Sequence, residues 1–535
     1  MPLLFALPLR SQQAATVPVW SSAYEKLESV SASFPARGVF LGERPLSRRE
    51  LRRVVARLAA AIDSAPPTLG SEKVDWARRE LNAIAAALDS GRGVHRYERL
   101  TLGASARTEV FGSDALSERI NPNGLGQIDA VSHPFGPRRN GWPAGQGTVA
   151  SSATSGLLAV GDRLALVVEP RFSVGHFRDN APAEDMFLQR AYVRGVAHNI
   201  ALQFGVDERR WGQSSVGALF ISGNASAPPA LVVATDTAIV LPWLFRLAGP
   251  VRITGLLADL GPAQDPPHAR LAGWQVSIQP WSRFELGVSV LAQTGGGDCE
   301  SRKTCASFFE RLVDLFPVID ALSPQHSDIQ VSNKLAGGNL RLRFPELSAL
   351  DLYYELEIDD FDGRRLRSSL VEDSGHLLGA RLPITMRQGL LSWRAELHRT
   401  SLRLYEHAQY RSGVTYRERI IGDPLGPNAK AAYLIGAWRP SPLNGIEIAL
   451  ADESRDPSKY TATSSDPRDR TFRFVRLTDE PRYRRRRATA SIDRAVGAGA
   501  LRFTLGYDRA WRTAAPGRSE WLGQVELRSH PLPTF

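Results

Sequence analysis

An arginine–tryptophan pair is the strongest candidate for ligand binding in the sequence. Arg209-Arg210-Trp211-Gly212-Gln213 follows a predicted strand and precedes Leu219-Phe220-Ile221-Ser222-Gly223-Asn224-Ala225. An indole face stacks on the apolar face of a sugar ring, and a guanidinium binds acidic groups. Arg210 and Trp211 are therefore candidates for an exposed sugar platform. The alternative is that the two side chains pack together to close the loop.

A second candidate is the basic run Arg482-Tyr483-Arg484-Arg485-Arg486-Arg487. Each guanidinium can make charge-assisted contacts with carboxylate or phosphate, so the run predicts a polyanion contact that weakens with salt. The partner is either an acidic polysaccharide or the phosphates of a lipid surface.

Three carboxylates at alternate positions raise the possibility of hydrolysis. Glu355, Glu357 and Asp359 project to one side of a predicted strand, and a glycosidase needs two carboxyls ~5–9.5 Å apart. The alternative is that they pair with arginines of neighbouring strands, such as Arg341, Arg343 and Arg381. The sequence has no Gly-x-Ser-x-Gly motif, and its ten histidines form no metal-ligand pattern. We therefore expect no catalytic residue, no metal and no cofactor.

Composition alone suggests a large soluble protein. The chain has 535 residues, of which 43% are hydrophobic, with 66 Lys and Arg against 56 Asp and Glu; its mean hydropathy is −0.21. No apolar run reaches the ~18 residues of a membrane-spanning helix, but the strands of a membrane barrel need only ~9–11 residues of alternating polarity. The sequence lacks zinc spacing, an RNA-binding signature and a basic helix, so we expect no nucleic-acid partner.

Alternating polarity begins near residue 100 and continues to the end of the chain. Leu350, Leu352, Tyr354, Leu356 and Ile358, for example, alternate with polar and charged residues. This period of two predicts eighteen strands. We place them near 101–110, 149–159, 163–172, 185–195, 199–206, 229–240, 250–259, 269–279, 284–293, 328–344, 350–359, 375–386, 389–400, 429–440, 444–453, 484–495, 500–511 and 519–530.

The connections between these strands are alternately short and long, as in outer-membrane barrels. The expected fold is therefore an eighteen-stranded antiparallel outer-membrane β-barrel over residues 99–535, with long extracellular loops. An even strand number places both ends of the barrel on the short-turn side. A soluble sandwich or propeller is the alternative, but no blade-length repeat supports a propeller.

The first hundred residues read differently. Residues 1–15 resemble the end of a secretory signal or a disordered remnant. Residues 16–98 predict helices near 22–33, after Ser47, where Glu50 completes a capping box, and from Ser71 to Gly91. We expect this helical segment to lie in the periplasm.

Two of the predicted outer loops contain further features. Cys299 and Cys305 lie close together in a Gly-rich loop and predict a local disulfide, the alternative being two free thiols. The segment Phe308–Phe316 predicts a short amphipathic helix that could plug the barrel mouth or cover the loop's own core. Trp142 lies near Arg138-Arg139 in a loop that enters the lumen or covers the surface.

The order of several motifs resembles the capsule assembly protein Wzi family. Beside the Trp-Gly step and Leu219–Ala225, the segments are His268-Ala-Arg-Leu-Ala-Gly273, Asn333-Lys-Leu-Ala-Gly337, Tyr354-Glu-Leu-Glu-Ile-Asp-Asp360, Leu390-Leu-Ser-Trp-Arg-Ala-Glu396, and Tyr410-Arg-Ser-Gly-Val-Thr-Tyr416 through Ile421-Gly-Asp-Pro-Leu-Gly426. The residues that carry the resemblance include Gly212, Ser222, Asn224, Asp359, Asp360, Tyr410, Gly413, Tyr416, Gly422 and Gly426. Gly223 and Gln213 depart from the pattern, where Asn and Pro are expected.

The resemblance implies an eighteen-stranded outer-membrane barrel with a periplasmic helical bundle, which binds capsular polysaccharide as a lectin. We therefore predict binding of capsular or other exopolysaccharide, and assistance to capsule assembly or anchoring. The predicted contacts are Arg210, Trp211, Trp142, Arg484, Arg485, Arg486 and Arg487. The predicted surroundings are outer-membrane lipid and lipopolysaccharide, with the chain as a monomer. The rival functions are a polysaccharide or sugar channel and a surface glycoside hydrolase.

Overall fold

The computed structural model describes most of the barrel and of the helical segment. The described residues are 13–66, 70–89, 96–97, 100–113, 119–120, 130–131, 141–143, 145–177, 185–297, 315–316, 332–359, 370, 373–387, 389–407, 410–441, 444–456, 458–462, 472–476, 482–497, 499–512 and 517–529. The predicted disulfide between Cys299 and Cys305, Asp360 and most of the predicted helix at 308–316 lie outside these residues.

Eighteen antiparallel strands form one closed wall, which confirms the predicted fold. The wall strands are β1 (Leu100–Ser113), β2 (Gly147–Val160), β3 (Leu164–Phe177), β4 (Asp185–Ala197), β5 (Ile200–Val206), β6 (Ala230–Thr235), β7 (Pro250–Asp259), β8 (Arg270–Trp281), β9 (Phe284–Thr294), β10 (Ser332–Phe344), β11 (Leu350–Asp359), β12 (Ser374–Met386), β13 (Gly389–Thr400), β14 (Ala429–Ser441), β15 (Asn444–Arg455), β16 (Tyr483–Val496), β17 (Gly499–Arg512) and β18 (Arg518–Ser529). Strand β18 pairs with β1, so the sheet has no free edge.

Period-two patterning decides which side chains face the lumen. In β11, Asp351, Tyr353, Glu355 and Glu357 are buried, while the alternate residues are partly exposed on the outside. Because every backbone amide of a closed sheet can pair with its neighbour, such a wall can place apolar side chains outside without exposing polar backbone. The pattern gives the barrel an apolar outer surface and a charged interior.

The short turns lie at one end of the barrel. The β4–β5 turn is His198-Asn199, with φ of 47° and 70°. Positive φ at both central residues gives a turn whose twist matches that of paired strands. The prediction for 229–240 was too long, because β6 ends at Thr235 and a separate short strand follows at Ile239–Val240.

Three helices cover the short-turn end: α1 (Ser22–Ser33), α2 (Arg48–Asp63) and α3 (Ser71–Asp89). The Ser47 hydroxyl accepts the Glu50 amide at 3.1 Å, as the capping pattern predicts. Arg49 of α2 donates to the carbonyl of Asp162, in the β2–β3 turn, at 2.7 Å. The helical segment therefore rests on the turns, and its placement in the periplasm remains a prediction.

None of the helices in the described part of the chain is long and apolar enough to cross a bilayer.

The chain before α1 also enters the barrel. Ala14 and Ala15 are buried against wall residues, and the Arg194 guanidinium donates to the Ala14 carbonyl at 2.7 Å. The Thr16 hydroxyl donates to Asp207 at 2.9 Å. The packed body thus begins two residues or more before the predicted boundary at 16.

Candidate functional site

Two outer loops fold back into the lumen and meet the N-terminal segment there. We call residues 207–229 the first plug loop and residues 401–428 the second plug loop. Arg210–Trp211 forms a two-stranded sheet with Glu43–Arg44, from the chain between α1 and α2. Chain segments that enter the barrel from its two ends therefore meet in the middle of the lumen.

Carboxylates of the wall hold the first plug loop by its backbone. Glu355 of β11 accepts the amides of Gln213 at 2.5 Å, Ser214 at 2.7 Å and Leu219 at 3.1 Å. Glu396 of β13 accepts the Ser214 hydroxyl at 2.5 Å. A buried carboxylate needs several donors to offset its lost hydration, and loop amides supply them here.

The three alternate acids of β11 do share the lumenal face, and two of them, Glu355 and Asp359, have partners that differ from both expectations. Asp359 accepts the backbone amide of Tyr405 at 2.7 Å, in the second plug loop. The arginines expected to pair with these acids instead meet other carboxylates. Arg341 binds Asp351, Arg343 binds Glu285 and Arg381 binds Glu28. Glu355 and Asp359 thus act as anchors for loop backbone.

Residues of the family motifs join the two plug loops. The Ser222 hydroxyl donates to the carbonyl of Gly422 at 2.6 Å, and the Asn224 amide donates to the carbonyl of Ile420 at 2.9 Å. The Tyr405 hydroxyl donates to the carbonyl of Leu219 at 2.7 Å. A Cβ at Gly422 would collide with that same Leu219 carbonyl, so this close approach requires glycine.

Other motif residues shape the loops themselves. A Cβ on Gly212 would lie 2.7 Å from the Cβ of Ala218, and the φ of Gly212 is 149°. Gly413 and Gly426 have φ of 65° and 72°, a region that glycine adopts without strain. Tyr410 is fully buried in the core that contains Trp211. These motif residues build the plug.

The expectation of an exposed sugar platform at Arg210 and Trp211 is wrong. Trp211 is 1% exposed and Arg210 6% exposed, and the Arg210 guanidinium lies 3.9 Å from Glu28 of α1. The two side chains close the loop, which is the alternative that the sequence left open. Trp142 is also 1% exposed and lies in the lumen, between the guanidiniums of Arg107 and Arg171.

Trp142 belongs to a ladder of alternating guanidiniums and aromatic rings that the sequence did not reveal. Its members in order are Arg528, Trp20, Arg107, Trp142, Arg171, Phe187 and Arg417, with guanidinium-to-ring distances of 5.4, 5.4, 4.2, 5.5, 5.0 and 4.3 Å. Each step contributes ~0.5–2 kcal/mol. The ladder runs from the short-turn end, at Arg528, to the plug loop at the outer end, at Arg417.

The basic run does not form one surface. Because side chains alternate along a strand, Arg485 and Arg487 face the lumen, where Arg485 donates to Asp508 at 2.7 Å and Arg487 to Glu453 at 3.0 Å. Arg484 and Arg486 face outward and are exposed. The prediction that all four arginines contact a polyanion is therefore wrong for Arg485 and Arg487.

A short hairpin of the second plug loop is exposed at its tip. We call Thr415–Ile420 the outer hairpin; Thr415–Tyr416 pairs with Arg419–Ile420. Arg417 and Glu418 are exposed and have φ of 50° and 58°. Two positive φ values in succession are the geometry of a two-residue hairpin turn, as at His198-Asn199 in the β4–β5 turn. Tyr416 is half-buried beside them.

Glu208 of the first plug loop is a buried acid. It accepts the Gln189 amide at 2.6 Å. Burial, together with the nearby charge of Glu169, raises the pKa of Glu208 to about 8. Its protonated form therefore predominates at neutral pH.

Replacing Glu208 with glutamine is expected to remove a loss of stability between pH 5 and pH 8. A carboxyl whose folded pKa is raised stabilises the fold fully below its ordinary pKa of 4.5, and that contribution decreases as the pH rises until it is lost above about 8. The melting temperature of the wild-type protein in detergent should fall between pH 5 and pH 8, and that of Glu208→Gln should change less. Glu418→Gln, at an exposed site, should behave as wild type. Equal pH dependence in all three proteins would contradict the assignment.

A closed barrel with an apolar exterior, a charged interior and plug loops defines the class of outer-membrane β-barrels. The model of the capsule assembly protein Wzi family matches residues 123–527, so the chain belongs to that family.

Solved structures resemble this barrel to different degrees. Escherichia coli Wzi, described as an outer membrane protein involved in group 1 capsule assembly and as a carbohydrate-binding β-barrel, is 16% identical, with a TM-score of 0.68 over 96% of this chain and 99% of that one. Acinetobacter baumannii OccAB1 is 9% identical, with a TM-score of 0.39 over 80% of this chain and 96% of that one. Pseudomonas aeruginosa OccK11 is 8% identical, with a TM-score of 0.42 over 80% and 95%. A search of curated protein sequences gives no match.

Proposed function

We propose that the protein binds capsular or other surface polysaccharide at the outer end of the barrel and assists capsule assembly or anchoring. It does so from the outer membrane, with the helical segment in the periplasm. Membership of the Wzi family and the description of E. coli Wzi as carbohydrate-binding support this function. The polymer is held by stacking, hydrogen bonds and ion pairs, with no covalent step.

The observation that carries the proposal is the filled lumen below an exposed hairpin. Both plug loops are anchored to the wall and to each other. Among the described residues, a polymer that arrives from outside therefore meets Tyr416 and Arg417 of the outer hairpin before any buried group. Arg411, from the same loop, is also exposed. An aromatic ring beside guanidiniums suits a sugar chain, particularly an acidic one.

The same anchoring argues against the two rival functions. A channel needs a continuous water-filled path, whereas the described plug loops and the N-terminal segment occupy the middle of the lumen. A hydrolase needs a carboxyl free to reach substrate, whereas Glu355 is surrounded by loop amides. We therefore expect wild-type protein in a planar bilayer to pass no large steady current.

Replacing Tyr416 with alanine and Arg417 with glutamine together is expected to weaken binding of the host's surface polysaccharide at least tenfold. Tenfold corresponds to about 1.4 kcal/mol, and one hydrogen bond to a charged group contributes ~1.5–3 kcal/mol. Affinity would be measured by biolayer interferometry with the immobilised purified polymer.

The matched control is Arg283→Gln, which removes an exposed arginine from the β8–β9 turn at the opposite end of the barrel. This control should bind as wild type. If the outer-hairpin variant binds as tightly as the control, the polymer contacts another surface. If the wild-type protein binds no polymer at all, the proposed function itself fails.

A further inference from the structure

The outer wall carries a groove that the proposed function does not use. It lies across β13 to β17, has a volume of about 1000 Å³, and is lined on the outside by Leu397, Leu434 and Leu450, with Ala432 and Ala488 between them. The three leucines are exposed, each on an outward position of its strand. Small residues between larger ones make the wall concave here, and the concave surface is apolar.

Cations line the outer end of this groove. Arg486 of β16 lies directly opposite Arg509 of β17, and Arg484 lies one outward row closer to the loops. The guanidiniums of Arg486 and Arg509 lie 5.5 and 5.8 Å from the ring of Trp511. Two like charges directly opposite each other destabilise a sheet unless an anion lies between them.

The wall supplies less negative charge than this cluster needs. Two rows of outward side chains lie side by side at this level. The row closer to the loops consists of Arg399, Lys430, Ser454, Arg484 and Trp511. The next row consists of Leu397, Ala432, Asp452, Arg486, Arg509 and Ser519. Across these two described rows, Asp452 is the one carboxylate among five cations. It accepts from Arg486 at 3.0 Å, so the rows retain a net positive charge.

We propose that this groove binds one molecule of lipopolysaccharide, with lipid A phosphates on Arg484, Arg486 and Arg509 and acyl chains against the leucines. This inference rests on the proposed orientation, which places the long-loop end of the wall in the outer leaflet. A phosphorylated, multiply acylated lipid matches both parts of the site, because guanidiniums bind phosphate and the apolar groove accepts chains. A hydrated polysaccharide offers no acyl chains for the apolar part of the groove. A zwitterionic phospholipid brings an ammonium group that the cations repel.

The test compares purified proteins in mild detergent. The variants are the double replacement Arg486→Gln with Arg509→Gln, and Ala432→Trp, which keeps the arginines and fills the groove. The control is Arg270→Gln, which removes an exposed outward arginine at the outer end of β8. Deep-rough lipopolysaccharide, phosphatidylglycerol and the host's surface polysaccharide are titrated separately, with native mass spectrometry as the readout. Heat-modifiable gel migration shows that each variant has folded.

If the groove binds lipopolysaccharide, wild type and Arg270→Gln should bind it equally. Both groove variants should need at least a tenfold higher lipopolysaccharide concentration for half-saturation. All four proteins should bind the polysaccharide equally. Phosphatidylglycerol bound as well as lipopolysaccharide would overturn the proposal, because the site would then be a general anionic-lipid surface. Loss of polysaccharide binding in the groove variants would also overturn it, by assigning the arginines to the polymer. Failure of wild type to bind lipopolysaccharide while it still binds polymer would overturn the lipid site and leave the proposed function intact.

Discussion

Glutamine in place of Glu28 is expected to detach helix α1 from the barrel. The Glu28 carboxylate is 1% exposed and lies 2.6 Å from Arg44 and 2.7 Å from Arg381, with Arg210 and Arg341 at 3.9 and 4.0 Å. Neutralising it leaves buried guanidiniums without a main counter-charge. Removing one partner of a buried ion pair costs ~3–5 kcal/mol. That cost is large for a contact between a helical segment and a wall.

Limited trypsin digestion in detergent provides the measurement. Cleavage between α1 and α2 should become much faster in Glu28→Gln, while the barrel itself keeps its folded migration on a gel. Glu25→Gln is the matched control, one turn earlier on the same helix. Glu25 is partly exposed and binds Arg439 at 2.9 Å, and such pairs contribute ~1 kcal/mol or less. Equal cleavage of the two variants would show that the buried cluster does not hold the helix.

Acid should act on the wild-type protein in the same way as the Glu28→Gln substitution. Burial raises the pKa of Glu28, but the surrounding arginines, Arg381 first, outweigh it and hold the pKa far below its ordinary value. A depressed folded pKa stabilises the docked state above the ordinary carboxyl pKa, and this contribution disappears as the pH falls towards the folded value. Wild type should therefore become increasingly sensitive to pepsin, a protease that is active in acid, as the pH falls below the ordinary carboxyl pKa of 4.5, whereas Glu28→Gln should be sensitive to trypsin at neutral pH and to pepsin in acid.

The wall could be predicted almost completely because its physics is local. Each strand must place apolar residues on one face and polar residues on the other, so a period of two along ten residues determines an element. The same rule divides the basic run, because alternation in β16 places Arg485 and Arg487 inward and Arg484 and Arg486 outward.

The interior could not be predicted because its contacts join distant parts of the chain. Gln213 and Glu355 are 142 residues apart, and Arg107 meets Trp142 and Trp20 from separate segments. A tryptophan beside an arginine has the same local sequence whether it packs in a lumen or binds a sugar, so local sequence cannot distinguish the two environments for Trp211 or for Trp142. The glycines and polar residues of the family motifs are needed for packing between the two plug loops. Local patterning does not predict packing between distant loops.

Glutamine at both Glu355 and Glu396 is expected to open the lumen to ions. Glu355 accepts three amides of the first plug loop, and Glu396 accepts the Ser214 hydroxyl at 2.5 Å and the Ser215 amide at 2.8 Å. Hydrogen bonds to charged groups contribute ~1.5–3 kcal/mol each, and a neutral amide brings its own donors towards these amides. The loop should therefore spend a measurable fraction of time away from the wall.

The readout is single-channel current across a planar bilayer, where the double variant should give frequent conducting events and wild type should remain closed. Glu453→Gln is the matched control, because Glu453 is a buried lumenal carboxylate that binds wall side chains, Arg487 at 3.0 Å and Tyr433 at 3.2 Å. This control should remain closed although it also loses a buried charge. Conductance in the control would assign the effect to loss of wall stability. A closed double variant would show that the hydrogen bonds and packing between the two plug loops hold the plug without the wall carboxylates.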